Sequence, residues 1–326
     1  MRNILLLILA IVLVQLYAQG NDAPKKKSIY ISQIVNHPAL DATVNGIIDE
    51  LKACGYTQEN LDLKIESAQG SSLLASQIAT KFVSEKPDIV IAVATGAAQS
   101  FAKYAKNGDI KLIFSSVTDP VDAGLVKATN LSDNNISGVS NMVPIEPQLE
   151  LFKKIQPNLK RLGFLYNPSE LNSVSLIKKL EEICPKYNIV LVKQIAVKST
   201  DVLQSATKLS NECDAIFISN DNTALSAIAV IIQVATLHKI PVYVSDTDMV
   251  AAGAVAALGP NQYNIGRQTA EMALDILSGT DINTQNIEFP TDIDLYVNPQ
   301  AALKVGITIP QEILGKATKF TFTSSR

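Results

Sequence analysis

The chain has 326 residues, 47% hydrophobic and 18% charged, with a formal net charge of −3. That is the composition of a packed globular protein rather than a disordered one, and it is longer than one ordinary core usually holds, so two domains are expected. The acidic balance argues against nucleic acid and anionic membrane surfaces as partners, and the one basic cluster, Lys25-Lys26-Lys27, reads as a solvated tail.

Arg2, an apolar run from Ile4 to Leu16 and the exit Tyr17-Ala18-Gln19-Gly20 have the layout of a secretory signal peptide over residues 1–20. The run is shorter than the ~20 apolar residues of a membrane span, and an uncleaved N-terminal anchor is the alternative. No cysteine follows it, so a lipid-modified anchor is not available. The expected product is an exported, periplasmic protein.

Past the leader, strands and helices alternate. Ile29–Val35 is a β-branched run, followed by a helix through Val44, Ile47 and Leu51 up to Gly55. Leu63–Ala68 is the next strand, Leu73–Val83 a helix, Ile89–Thr95 a strand, Ala97–Lys106 a helix, and Lys111–Val117 and Ile136–Val139 strands. Short apolar runs joined by helices indicate crossover units of a parallel sheet. Two prolines in "NMVPIEP" break the rhythm near Asn141–Pro147. It resumes with helix Gln148–Ile155, strand Arg161–Tyr166 and helix Ser173–Ile183, then strands Ile189–Val197, Ala215–Ser219, Pro241–Ser245 and Ala254–Leu258 with helices between them. Asn261–Gly279 reads as a long helix, "EFPTDIDLYVN" as extended chain, and Pro299 opens a last helix before a loose tail.

The second run matches the first at strand ends. "QIVNHPALDA" pairs with "FLYNPSELNS", "AVATGAAQS" with "FISNDNTALS", and "FSSVTDP" with "YVSDTDM", at offsets of 125 to 131 residues. Two similarly wound α/β lobes are implied, each Rossmann-like and doubly wound. If helix 261–279 returns to the first lobe, the chain crosses between lobes three times and forms a hinge. The lobes are then residues 28–143 plus 261–290 and residues 144–260 plus 291–326. Packing of that helix on the second lobe would leave a single crossover. Of the three cysteines, Cys184 and Cys213 could close a disulfide within one lobe; free buried thiols are the alternative.

In open parallel sheets ligands bind beyond the carboxyl ends of the strands, at the topological switch point. The residues there are not those of an enzyme. The two histidines, His37 and His238, are far apart, and no HExxH, CxxC, GxGxxG, Walker or GxSxG motif occurs, so no metal or cofactor is expected. Small polar residues and carboxylates gather there instead. Several, including Thr95, Thr118, Asn172, Asn220 and Asp246, precede helices, where an N-cap is the competing role. Helix N-termini at Gly96–Ala98 and Asn222–Ala224 suit a carboxylate. Asp119, Glu170, Asp221 and Asp246 could meet an ammonium group, and Tyr166, His37-Pro38 and Ala97-Ala98 supply apolar surface. The combination suits an amino acid with an apolar tail.

These segments, with "VTDPVDAGLV", "VSDTDMVAAGAVAALG", "GRQTAEMA" and "LYVNPQAA", resemble the ABC-transporter substrate-binding proteins of the tryptophan/tyrosine-uptake type. The resemblance covers about Ser28 to Gly315. It implies the type I periplasmic-binding-protein fold and capture of a small solute, often an aromatic amino acid, for delivery to a membrane permease driven by a cytoplasmic ATPase. Carried over residue by residue, it implies a pocket of Gln33, Thr95, Gln99, Ser116, Thr118 and Tyr166, with Glu170, Asn172, Asn220, Asp221 and Asp246. A monomer without enzymatic activity is expected. The chain departs from the pattern at "ATGAAQ", where relatives more often carry Pro and Thr, and at Asp122, where glycine is usual. Competing readings are a solute sensor feeding a membrane receptor, a sugar or nucleoside carrier, and an exported enzyme using Asp119 and Asp246 as an acid/base pair.

Overall fold

The computed structural model describes residues 26–128 and 134–320; the expected signal peptide lies outside them. The first lobe is built on strands β1 (Lys27–Gln33), β2 (Leu61–Ser67), β3 (Ile89–Val93), β4 (Leu112–Val117) and β5 (Ile136–Ser140). All their pairings are parallel, in the order β2-β1-β3-β4-β5. Helices α1 (Pro38–Ala53), α2 (Ser72–Glu85) and α3 (Thr95–Lys106) connect the first four strands. Strands β3, β4 and β5 are buried at every residue, as in a sheet covered on both faces.

The second lobe begins with α4 (Ile145–Ile155), β6 (Arg161–Tyr166), α5 (Leu171–Ile183), β7 (Val190–Ile195) and α6 (Val202–Glu212). It continues with β8 (Ala215–Ile218), α7 (Asn222–Ser226), α8 (Ile228–Leu237), β9 (Val242–Val244) and β10 (Ala256–Gly259). Its strand order, β7-β6-β8-β9-β10, repeats that of the first lobe. After α9 (Gln262–Leu277), the sheet is extended by β11 (Asp294–Val297), then α10 (Pro299–Lys304), α11 (Gln311–Lys316) and β12 (Lys319–Phe320). Strand β11 runs antiparallel to β10 and parallel to β12. The tail expected to be loose thus supplies an edge strand.

Helix α9 lies on α1, not on the second lobe. The two backbones meet at glycines: a Cβ on Gly46 would stand 2.1 Å from the Tyr263 carbonyl oxygen, and one on Gly266 2.0 Å from that of Thr43. Flanking contacts set the register, with Tyr263 Oη donating to Asp49 (3.2 Å) and Arg267 Nε paired with Glu50 (2.6 Å). Glu288 then bridges to Val139, donating its N–H to Gly138 (2.9 Å) and accepting from Ser140 (2.8 Å), before the chain enters β11. Three passages between the sheets result.

Helix α4 starts at Ile145, earlier than expected, because Pro147 falls in the first turn, where no intrahelical N–H is required. All three cysteines are free. Cys184 is buried with the cluster under α4 and α5, and Cys213 with the cluster under α6 and α8. The sheet lies between them, and burial pushes each thiol up to about 11. Replacing Gly266 by Ala should force α1 and α9 apart and destabilise the protein by roughly 1–3 kcal/mol, as overpacked contacts do. Chemical denaturation of the variant beside the wild type measures this.

Candidate functional site

The carboxyl edges of the two sheets face each other across a narrow cavity whose free space, about 10 Å3, is that of roughly one water molecule. The first lobe contributes His37, Thr95, Ser116, Thr118 and, from the start of α9, Gln262. The second contributes Asn172, Asn220, Asn222, Leu225 and Asp246. Asn141, at the passage after β5, also reaches the cavity, as do Ala39, Leu40 and Ala94.

The first-lobe wall is electropositive through its backbone. Ala94, the N-cap of α3, and His37, the N-cap of α1, make no side-chain capping bond, so the first N–H groups of both helices stay available to an anion, with the positive dipole ends behind them. Ala94 and Ser116 hold positive φ, 76° and 55°, a strained conformation for residues with a Cβ. At Ser116 it coincides with a register shift between Ser115 and Val117 of β4. The bulge brings Ser116 Oγ to Gln262 Oε1 (2.9 Å), which also accepts from Thr43 (3.3 Å).

The second-lobe wall carries a buried carboxyl instead. Asp246, 1% exposed, accepts from the backbone N–H of Asp248 (3.2 Å). Burial and then the Asp248 charge push its carboxyl up to about 8. The neighbouring helix terminus has no room for an anion, because the chain's own carboxylates fill it. Glu170 accepts from the Asn222 N–H (2.8 Å) and the Thr223 N–H (2.9 Å), and Asp221 from the Ala224 N–H (2.8 Å). Burial, followed by the Glu170 charge, raises the Asp221 carboxyl.

Six of the residues expected at the pocket line it: Thr95, Ser116, Thr118, Asn172, Asn220 and Asp246. Five do not. Gln33 is spent bracing the loop before α1, donating to Val35 O (2.8 Å) and Asp41 (2.8 Å). Gln99 lies one turn into α3 and donates to Ala123 O (3.1 Å). Tyr166 shares a face of β6 with Phe164, two residues back, and stacks on it at 6.5 Å inside the lobe. Glu170 and Asp221 hold the α7 terminus, and Asp221 also accepts from Ser173 (2.6 Å) and the Asn167 N–H (2.7 Å). Ala97 and Ala98 belong to the core, not to a ligand surface. Asp119 meets Lys179 of the second lobe (2.9 Å), not a ligand. Burial alone would raise its carboxyl, but the Asp122 N–H and the Lys179 ammonium outweigh it and hold it low.

The lobes are closed on each other. Asn220 Nδ2 donates to Thr118 (3.2 Å) and Asn141 (3.2 Å), His37 meets Asn222 (3.3 Å), and Ser175 donates to Asp122. Among the described residues no cluster of His, Cys, Asp or Glu could hold a metal ion, and no helix is long and apolar enough to cross a membrane.

Two similarly wound lobes that close over an interlobe cavity of opposed polarity define a solute-binding protein. The chain matches the family model described as ABC transporter substrate binding protein over residues 28–321 and belongs to that family. It is 34% identical to a tyrosine-binding protein of Clostridioides difficile over 85% of this chain and 80% of that one. A structure of a conserved domain protein from Vibrio cholerae superposes with TM-score 0.87 at 40% identity, covering 91% of this chain and all of that one. A Streptococcus domain in complex with L-Trp gives 0.86 at 29% identity over 91% of this chain and 100% of that one. The ligand-free, open structure of a Clostridium difficile substrate-binding protein gives only 0.67 despite 33% identity, over 92% of this chain and all of that one. The lobe arrangement here is therefore nearer the liganded relative than the open one.

The enclosed Asp246 carboxyl titrates near 8, against an ordinary 3.8. A closed form that binds the proton more tightly is favoured below that lower value and loses its advantage as pH rises through 8. Ligand-free protein should be more open at pH 8 than Asp246→Asn, and the two should converge only as pH falls toward 3.8; solution scattering across that range measures it.

Proposed function

We propose that this protein is an extracytoplasmic solute receptor of an ABC importer that captures a zwitterionic amino acid with an aromatic side chain and hands it to a membrane permease. One observation carries the reading: helix N-termini without side-chain caps on the first lobe and the buried Asp246 carboxyl on the second line the same cavity. An amino acid's carboxylate meets the backbone N–H groups of α3, and its ammonium meets Asp246. Thr95, Ser116, Thr118, Asn172 and Asn220 supply the polar contacts between, and Ala39, Leu40 and Leu225 the apolar ones. The names of the similar proteins, one tyrosine-binding and one in complex with L-Trp, support an aromatic side chain.

The lobes are 28–143 with 261–290 and 144–260 with 291–326, rocking about the three passages between them. Contacts divided between lobes favour closure only through a difference in affinity for the two forms. A micromolar ligand supplies roughly 8 kcal/mol, enough to shift a domain equilibrium of a few kcal/mol. Residues 1–20 direct export to the periplasm, where the protein acts as a monomer and performs no covalent chemistry on its cargo.

Titration calorimetry with the twenty amino acids tests this. Tyrosine or tryptophan should bind, and Asp246→Ala should weaken the hit by more than about tenfold, as loss of a buried charge partner does. Unchanged affinity in that variant would show that the pocket lies elsewhere.

A further inference from the structure

The orientation of one amide fixes the chemistry of the one histidine in the cavity. Asn222 donates from Nδ2 to Glu170 Oε2 (2.7 Å), and its backbone N–H donates to the same oxygen (2.8 Å). That leaves its carbonyl oxygen facing His37 Nε2 at 3.3 Å. A carbonyl only accepts, so Nε2 carries the hydrogen, and Nδ1 of the neutral ring presents a lone pair. Burial keeps the ring neutral by lowering its pKa, against the Asn222 bond and the pull of Asp41 and Glu170.

His37 is 4% exposed, and Nδ1 is buried without a hydrogen-bond partner. It is the one fully enclosed side-chain polar atom of the cavity wall in that condition among the described residues. A buried acceptor left unpaired is costly and calls for an occupant. The neighbouring wall is apolar, with Ala39 and Leu40 on His37's own helix and Leu225 on the helix opened by Asn222. Asp246, the one carboxyl on the cavity wall, offers an ammonium group the better place. The donor suited to Nδ1 is therefore neutral and carried on the ligand's side chain.

Resting on the amino-acid reading above, we propose that His37 is the specificity-determining residue of the pocket, its Nδ1 accepting a hydrogen bond from the phenolic O–H or indole N–H of an aromatic amino acid. Sites built to bond such a group reject the analogue that lacks it, because their own polar atom is then left unpaired.

The test titrates two matched pairs, tyrosine with phenylalanine and tryptophan with 1-methyltryptophan, into wild type, His37→Gln and His37→Asn. Gln keeps a donor toward Asn222 but has no acceptor at the δ position, whereas Asn places an amide oxygen where Nδ1 stood. Wild type should favour the donor-bearing member of at least one pair by about tenfold or more. His37→Gln should erase that preference and His37→Asn retain it. In wild type labelled with 15N-histidine, the His37 Nδ1 resonance should move upfield with the donor-bearing ligand and stay put with its partner, a readout independent of whether the variants fold. Equal affinity within both pairs, a preference that survives in His37→Gln, or an unmoved Nδ1 resonance would overturn the proposal and leave the amino-acid pocket standing. Failure of all four ligands to bind would overturn both.

Discussion

The opposed polarity of the two cavity walls is the constraint on which the rest of the structure turns. On the first lobe it comes from backbone: two helices begin at residues that offer no capping bond, so their dipoles and N–H groups point at the cleft. On the second it rests on one carboxyl, Asp246, which burial keeps protonated to about pH 8 in the empty cavity and which an ammonium beside it would draw into its charged form. Neither wall can neutralise the other directly, because helix N–H groups and an aspartate on separate lobes meet only through what lies between them. The zwitterion proposed above answers both. The second lobe reinforces this assignment of signs by filling its own helix terminus with Glu170 and Asp221.

The same arrangement explains where strain is stored. Ala94 and Ser116 hold positive φ beside the cavity, and Ser116 sits at the irregularity in β4. The first conformation leads into an α3 N-terminus without a capping side chain, and the second carries a hydroxyl to Gln262. Such backbone persists where surrounding packing over-determines it, here in a strand buried at every residue and against a helix, α9, locked to α1 by Gly46 and Gly266. Direct bonds between lobes, among them Lys179–Asp119 and Asn220–Thr118, hold the closed form while leaving the binding groups inside it.

Much of this was legible in the sequence because its signals are local. Apolar runs of four to seven residues separated by helical periodicity indicate the doubly wound lobes, and the paired strand-end motifs indicate that the two are similarly wound; their strand order is seen only in the structure. Residues at strand ends, such as Thr95, Thr118, Asn220 and Asp246, could be placed because their position follows from the fold. What local pattern does not carry is direction and distant return. Tyr166 looked like a ligand surface, but the two-residue period of β6 aligns it with Phe164 on the packed face. Glu170 and Asp221 looked like partners for an ammonium until the fold supplied backbone N–H groups nearer to hand. Gln262 reaches the first-lobe wall only because α9 returns to that lobe. Asn141 does so because the chain leaves β5 at the cavity floor. His37 and Asn222 were visible as strand-end polar residues, but their bond joins positions 185 residues apart.

The most direct test is closure by molecules that satisfy one wall or both. Small-angle scattering with tyrosine, tyramine and 3-(4-hydroxyphenyl)propionate compares the full zwitterion with analogues lacking its carboxylate or its ammonium. Tyrosine should contract the particle, and each analogue, at concentrations well above that of the protein, should leave it open. Contraction by either analogue as complete as that by tyrosine, or none with any aromatic amino acid, would contradict the account.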